Sequence, residues 1–321
     1  MAPRPTRRRL LAAAGLAAAG LGTAAFRTRA AARGLMARTR AGLAFGTTVA
    51  LTAAGTDAAT VEDALGAGFA AMRTIEAAAS LFRTDAALVR LNRAGLLEAP
   101  PEDLLTLLRF ALDLAARTDG AFDPTVQPLW PVWSAAAARG TRPTGDAIAR
   151  AVATIGWRRV HLGSDRIDLE PGTALTLNAV IQGHAADRVM AAFRTHGITD
   201  AFIDTGEFGA SGTHPDGTPW RLGIADPRRP QAVADVIAPF TGFAATSGDY
   251  HMSFSPDGAD HHIFDPATGR SPTQLASVTV TAPTGLLADG LSTACMVLGS
   301  TAGTRLIESM PGCTVRFSAK T

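Results

Sequence analysis

Oxygen-bearing and titratable side chains gather in five short runs of this chain. In Ala288-Asp289-Gly290-Leu291-Ser292-Thr293 the acid and the threonine are spaced i and i+4, so a helix sets both oxygens on one face. That pair suits a hard cation such as Mg2+, which takes few protein oxygens and leaves room for phosphates. An aspartate capping a helix start, followed by a buried threonine, has the same spacing. The run His261-His262-Ile263-Phe264-Asp265-Pro266-Ala267-Thr268-Gly269 offers a histidine as general base or as a structural group. Hydroxyls and amides around a glycine in Thr246-Ser247-Gly248-Asp249-Tyr250 fit an oxygen-rich ligand or a tight turn. Leu177-Asn178-Ala179-Val180-Ile181-Gln182-Gly183-His184-Ala185-Ala186-Asp187-Arg188 leads into a helix whose first N–H groups can face an anion, with Asn178 as a candidate cap, equally the form of an ordinary capped helix. Thr118-Asp119-Gly120-Ala121-Phe122-Asp123-Pro124-Thr125 places two carboxylates and an aromatic ring in a turn after a helix, equally the form of a plain helix stop.

The elements that must position these runs are legible from periodicity. Residues 61–79 and 102–116 carry apolar side chains at helical spacing, the second behind Pro101. Shorter helices are expected over 146–154, 180–196 (ending at Gly197) and 286–298. Strands are expected over 43–53, 159–162, 166–169, 201–204, 220–224, 233–239, 242–246, 277–281 and 314–318, separated by Gly, Pro and Asp turns. The elements show no regular β-α-β alternation and no Gly-rich phosphate loop, so the expected class is α+β rather than a doubly wound parallel sheet.

Composition narrows the field. Of 321 residues, 47% are hydrophobic and 18% charged, which excludes a disordered chain, and two cysteines exclude a disulfide-rich scaffold or multi-cysteine metal site. Cys295 and Cys313 are read as packing residues, with a disulfide after export left open by their spacing. Arg4, Arg7, Arg8, Arg9, Arg27 and Arg29 lie ahead of Ala32 with no acid among them; without these six the net charge moves from +2 to −4, which argues against a nucleic-acid partner. Thr6-Arg7-Arg8-Arg9-Leu10-Leu11, the apolar residues 10–25, and the small residues Thr23-Ala24-Ala25 and Ala30-Ala31-Ala32 follow the order of a twin-arginine secretory signal over 1–32. The apolar stretch falls short of the ~20 residues of a spanning helix, though an uncleaved anchor remains the alternative. The expectation is a periplasmic or extracytoplasmic protein with no membrane span in its mature chain.

Taken in order and with their gaps, the five runs resemble the ApbE family of FAD:protein FMN transferases. The resemblance extends from about Phe45 to Thr293 and implies one ApbE-like domain over 42–321. Its most specific pieces are Asp119-Gly120-Ala121-Phe122-Asp123, Thr246-Ser247-Gly248-Asp249-Tyr250, the His262 to Gly269 run and Ala288-Asp289-x-x-x-Thr293. Ser80-Leu81-Phe82 and Leu91-Asn92 fit the family's early region. Leu177 to Gly183 and Ile203-Asp204-Thr205-Gly206-Glu207 are most similar to its NosX-type branch, associated with nitrous oxide reductase maturation and the acceptor NosR.

The resemblance implies that FAD is split at its pyrophosphate and FMN is esterified to a threonine of a target protein, releasing AMP. It implies Mg2+ ligands Asp289, Thr293 and the Ala179 carbonyl, and FAD contacts at Phe82, Ala121, Phe122, Asp123, Thr176, Gln182 and Ile263. His262 is the implied base, with His261 its competitor. The chain departs from the family pattern at Thr176 (usually Asp), Gln182 (usually Lys or Glu), His184 (usually Tyr) and Asn178-Ala179 (usually Gly-Gly). An FAD pyrophosphatase releasing FMN and AMP to water, and a non-catalytic FAD-binding accessory protein, use the same residues.

Overall fold

The computed structural model describes residues 34–320 except His251 and Pro256; the signal segment 1–32 lies outside the described residues. The central element is a seven-stranded antiparallel sheet of order β1-β2-β6-β7-β10-β11-β12. Its strands are β1 (Met36–Ala44), β2 (Thr47–Gly55), β6 (Asp200–Asp204), β7 (Phe208–Ser211), β10 (Gly242–Gly248), β11 (Leu275–Ala282) and β12 (Thr314–Ala319). The fold is α+β, as the element order indicates.

One face of the sheet carries three packed helices, α1 (Ala58–Ala79), α6 (Ile181–Thr195) and α7 (Gly285–Glu308). α1 starts where the Asp57 carboxylate accepts from the Thr60 N–H at 2.7 Å, and it buries Val61, Ala64, Leu65, Met72 and Ile75. Strand alternation then sorts the core. Ile203 and Phe243 point into the helix-covered cluster, while their neighbours Phe202 and Ala244 face the other side. That second face is closed by the hairpin β8 (Leu222–Asp226) and β9 (Arg229–Ile237), with Trp220, Leu222 and Phe240 packed on Phe202, Phe208 and Ala210. A smaller sheet of β3 (Leu96–Glu98), β5 (Arg166–Leu169) and β4 (Val160–Leu162) packs with α2 (Ala87–Ala94) and α3 (Glu102–Arg117). α4 (Leu129–Ala137) and α5 (Gly145–Val152) form an aromatic satellite around Trp133 and Phe264.

Several expectations are corrected. Residues 43–53 are not one strand: a turn at Phe45 (φ 54°) and Gly46 (φ 80°) splits the region into the β1–β2 hairpin. β1 is a mostly exposed edge strand carrying Arg38 and Arg40, so it lacks the apolar alternation that would reveal it. The helix expected over 286–298 does break after 298, and a second helical stretch follows the break. α7 as a whole runs to Glu308 with one non-helical residue, Gly299 (φ 74°, ψ 176°), at the break. Asn178 does not cap α6: the N-cap is Val180, without a side-chain bond, and Asn178 is exposed.

Candidate functional site

Two helix starts meet at the centre of the site. α7 begins at Gly285 behind its N-cap Thr284, so Asp289 lies in the second turn and is not the helix cap. Its carboxylate instead crosses to α6 and accepts from the Gly183 N–H at 2.9 Å. Asp187 of α6 answers in the other direction, accepting from the Gly285 and Leu286 N–H groups at 2.7 and 2.9 Å. Each helix thus supplies an acid to the unpaired N–H groups of its neighbour's first turn. Glycine makes this crossing possible: a Cβ on Gly183 would stand 2.1 Å from the Gly285 carbonyl oxygen, and one on Gly285 would stand 2.3 Å from that of Gly183.

Asp289 and Thr293, the pair expected as metal ligands, lie one turn apart on α7. Thr293 is half-buried, and its Oγ1 lies 3.0 Å from the Ser247 hydroxyl of β10, which in turn lies 2.8 Å from Ser292 Oγ. Asp289 is buried, and burial pushes its carboxyl up to about 7, helped by the nearby Asp187 charge and opposed by the Gly183 hydrogen bond. Glu207 lies beside it, raised well above the ordinary carboxylate range by burial and by the Asp289 and Asp204 charges, while the Thr246 N–H holds its Oε2 at 3.1 Å. Buried like-charged acids of this kind are relieved by a cation. Among the described residues no three His, Cys, Asp or Glu side chains cluster as metal ligands. The expected set draws on one carboxylate, one hydroxyl and the carbonyl of half-buried Ala179, hard oxygens that fit Mg2+.

Around this centre the first turn of α6 is tied to the β6–β7 turn. Gln182 Nε2 donates to the Thr205 carbonyl at 3.1 Å, and Thr205 Oγ1 donates to the Gln182 carbonyl at 2.9 Å. Thr176, half-buried, donates its N–H to the Pro124 carbonyl at 2.8 Å, which joins the 121–124 turn to the irregular segment leading into α6. Asn92 secures that segment, its side-chain amide donating to the Leu175 carbonyl and accepting from the Leu175 N–H.

The expected FAD contacts divide in two. Phe82 is 65% exposed and its ring lies over the Gly46 turn, available to a planar ligand. Ala121, Thr176 and Gln182 are half-buried. Phe122 and Ile263 are core residues at 4% and 6% exposure, so their side chains have little surface to offer. Asp123 is committed to the protein: Oδ1 accepts from the Thr125 N–H and hydroxyl, and Oδ2 from the Trp157 N–H. Burial raises its carboxyl despite those bonds.

The two histidines separate cleanly. His261 is fully buried, its Nε2 3.1 Å from the Pro272 carbonyl, and burial lowers its basicity. Such a ring cannot reach a protein acceptor. His262 is half-buried, with its N–H donating to the Met252 carbonyl at 3.1 Å and Nδ1 3.3 Å from the same oxygen. A carbonyl only accepts, so it holds the ring proton on Nδ1 and leaves Nε2 as the basic nitrogen. Two open grooves of about 300 and 440 Å3 flank Thr268 and Arg270, and neither is lined by Asp289, Thr293 or Gln182. Both cysteines are free thiols. No helix among the described residues is long and apolar enough to cross a membrane.

Asp187, Glu207 and Asn92 fall inside runs that the sequence singles out, but sequence reasoning gives none of them a role in building the site. Asp187 sits six residues past Ile181 with nothing local to mark it, because its partners are nearly a hundred residues away.

Comparison with known proteins agrees with this mixed architecture: residues 45–317 match the model of the ApbE family, and the chain belongs to that family. It is 32% identical over 284 residues to the FAD:protein FMN transferase of Treponema pallidum, covering 81% of this chain and 78% of that protein. It is 34% identical over 233 residues to that of Klebsiella pneumoniae, covering 68% and 67%. Among solved structures it resembles the Pseudomonas stutzeri flavinyl transferase ApbE in its apo form, with TM-score 0.77, 30% identity, and 89% and 92% of the two chains covered. The ApbE protein of Thermotoga maritima gives TM-score 0.80 at 27% identity, covering 88% and 94%.

Proposed function

We propose that this chain is an exported, Mg2+-dependent FAD:protein FMN transferase that modifies a threonine of a target protein. Family membership carries the coarser activity, transfer of FMN from FAD to protein. The observation that supports the finer reading is the pair of oxygens on α7, Asp289 and Thr293, held one turn apart beside a buried acid with a raised carboxyl.

In this reading Asp289, Thr293 and the Ala179 carbonyl would hold the cation, which would supply neutralisation of the pyrophosphate as charge develops on it. Phe82 packs on a ring of FAD, and the backbone of 121–123 with Thr176 and Gln182 borders the dinucleotide. His262 Nε2 accepts the proton of the incoming threonine hydroxyl. The threonine oxygen bonds to the FMN-side phosphorus, the bond from that phosphorus to the bridging oxygen breaks, and the bridging oxygen leaves on AMP. The twin-arginine run of 1–32 would export the 42–321 domain, and the Leu177–Gly183 and Ile203–Glu207 runs support a NosX-type member acting on a NosR-like acceptor.

The test is incubation of the purified protein with FAD, Mg2+ and a threonine-bearing NosR-type acceptor. A covalent flavin on the acceptor with stoichiometric AMP is the expected result. AMP and free FMN without an adduct would establish the hydrolase instead, and unchanged FAD would establish a binding protein.

A further inference from the structure

Lys320 is the only lysine of the chain, and it is not on the surface in the usual way: its side chain is 18% exposed. Its ammonium donates to the Gly258 carbonyl at 3.0 Å and pairs with Asp249 Oδ2 at 3.1 Å. Its own N–H donates to the Gln274 carbonyl at 3.0 Å, fixing the backbone that presents it. Asp249 is 1% exposed and receives a second, bidentate partner in Arg228, at 2.7 and 2.9 Å. Burial pushes the Asp249 carboxyl up, but the hydrogen bonds from Arg228 and Lys320 outweigh it and hold the group below the ordinary carboxylate range.

Gly258 is at the tip of the excursion between β10 and β11 that carries His262. Within that excursion Phe254 N–H donates to the Asp260 carbonyl at 2.7 Å, Gly258 N–H to Ser255, and His262 N–H to Met252. Ser253 and His261 pair across it. Its far side is held by Arg142 on Asp260 at 2.5 Å and by Phe254 stacked on Phe264. Lys320 is thus the link from the tip of this excursion to the anchored Asp249 at the end of β10.

We propose that Lys320 is a positioning residue for His262: by tying Gly258 to Asp249 it sets the excursion whose other limb presents the histidine. The link to catalysis rests on the transferase reading above; the clamp itself does not. A compact ammonium with three donors can serve a carbonyl and a carboxylate together, which an apolar side chain of similar length cannot.

The experiment compares wild-type protein with Lys320→Met and Lys320→Arg by hydrogen exchange and steady-state kinetics. In Lys320→Met, exchange at the Phe254, Gly258 and His262 amides should rise about tenfold, while β11 amides keep wild-type protection. Turnover should fall about tenfold with KM for FAD within about twofold, because misplacing a base slows chemistry without removing a substrate contact. Lys320→Arg, which keeps the charge and donors, should recover at least half of both effects. Wild-type exchange at those three amides in Lys320→Met overturns the clamp. Raised exchange with wild-type turnover overturns its role in catalysis. Absence of any flavin adduct with wild-type protein would instead sink the transferase reading and leave the exchange result to decide the clamp alone.

Discussion

Asp187 and Asp289 cap each other's helices: the first accepts from the Gly285 and Leu286 N–H groups that open α7, and the second accepts from Gly183 in the first turn of α6. The exchange fixes two helix starts at contact distance and spends one oxygen of Asp289 on positioning. The same carboxylate is the acid proposed to meet the cation, so structure and chemistry share one side chain.

The close approach this requires predicts the effect of adding one methyl group. Gly183→Ala places its Cβ 2.1 Å from the Gly285 carbonyl and 2.7 Å from Asp289 Cβ. Backbone cannot swing aside as a flexible side chain can, so α6 and α7 must separate. We expect a loss of about 1–3 kcal/mol or more in chemical denaturation, together with loss of transfer activity. A variant with wild-type stability would show that the helices are not locked at this crossing.

Protonation of Asp289 gives a pH signature. The group is raised to about 7 in the folded chain, whereas an unfolded aspartate titrates near ~4. Between those values the folded state holds the extra proton. The stability this contributes is complete below the lower value and is lost as pH rises through the upper one. In EDTA, wild-type protein should therefore lose stability between about pH 4 and pH 7, and Asp289→Asn should lose less. Mg2+ should raise the wild-type melting temperature more at about pH 8 than at about pH 5, because the cation competes with the proton for the site. Equal Mg2+ effects at both pH values would contradict ligation by this acid.

Asp123 and Phe82 both resemble flavin contacts, yet the structure separates their consequences. Asp123→Ala strips partners from the Thr125 N–H and hydroxyl and the Trp157 N–H, and should cost about 2–4 kcal/mol of stability. Phe82→Ala removes a ring that is already 65% exposed, and should change stability by less than about 0.5 kcal/mol while raising KM for FAD. Denaturation curves and FAD titrations of the two variants check this; a reversed pattern would exchange their roles.

The contrast shows what the sequence could express. Spacing alone places Asp289 and Thr293 on one face, because a helix converts i and i+4 into proximity. Local turn chemistry marks the stop after α3, where Asp119 (φ 49°) and Gly120 (φ 82°) take left-handed backbone. Nothing local gives Asp187, Glu207 or Lys320 its role, because their partners lie far along the chain. Asn178 precedes a helix as a cap would, but the acid that meets the helix's first turn is Asp289, 106 residues beyond Gly183. β1 hid because an edge strand need not alternate, and α4 hid because Pro128 caps it and Pro131 stands in its first turn, where proline reads as a break although a helix start tolerates it.

The most direct measurement is the mass of the acceptor protein after incubation with FAD and Mg2+, made in parallel with wild-type chain and Asp289→Ala. With wild type, the acceptor should gain the mass of one FMN at a threonine and keep it through denaturation. With Asp289→Ala, adduct formation should slow by about a hundredfold or more, while residual protein remains folded by circular dichroism. Adduct formation at the wild-type rate by Asp289→Ala would contradict the account at its centre.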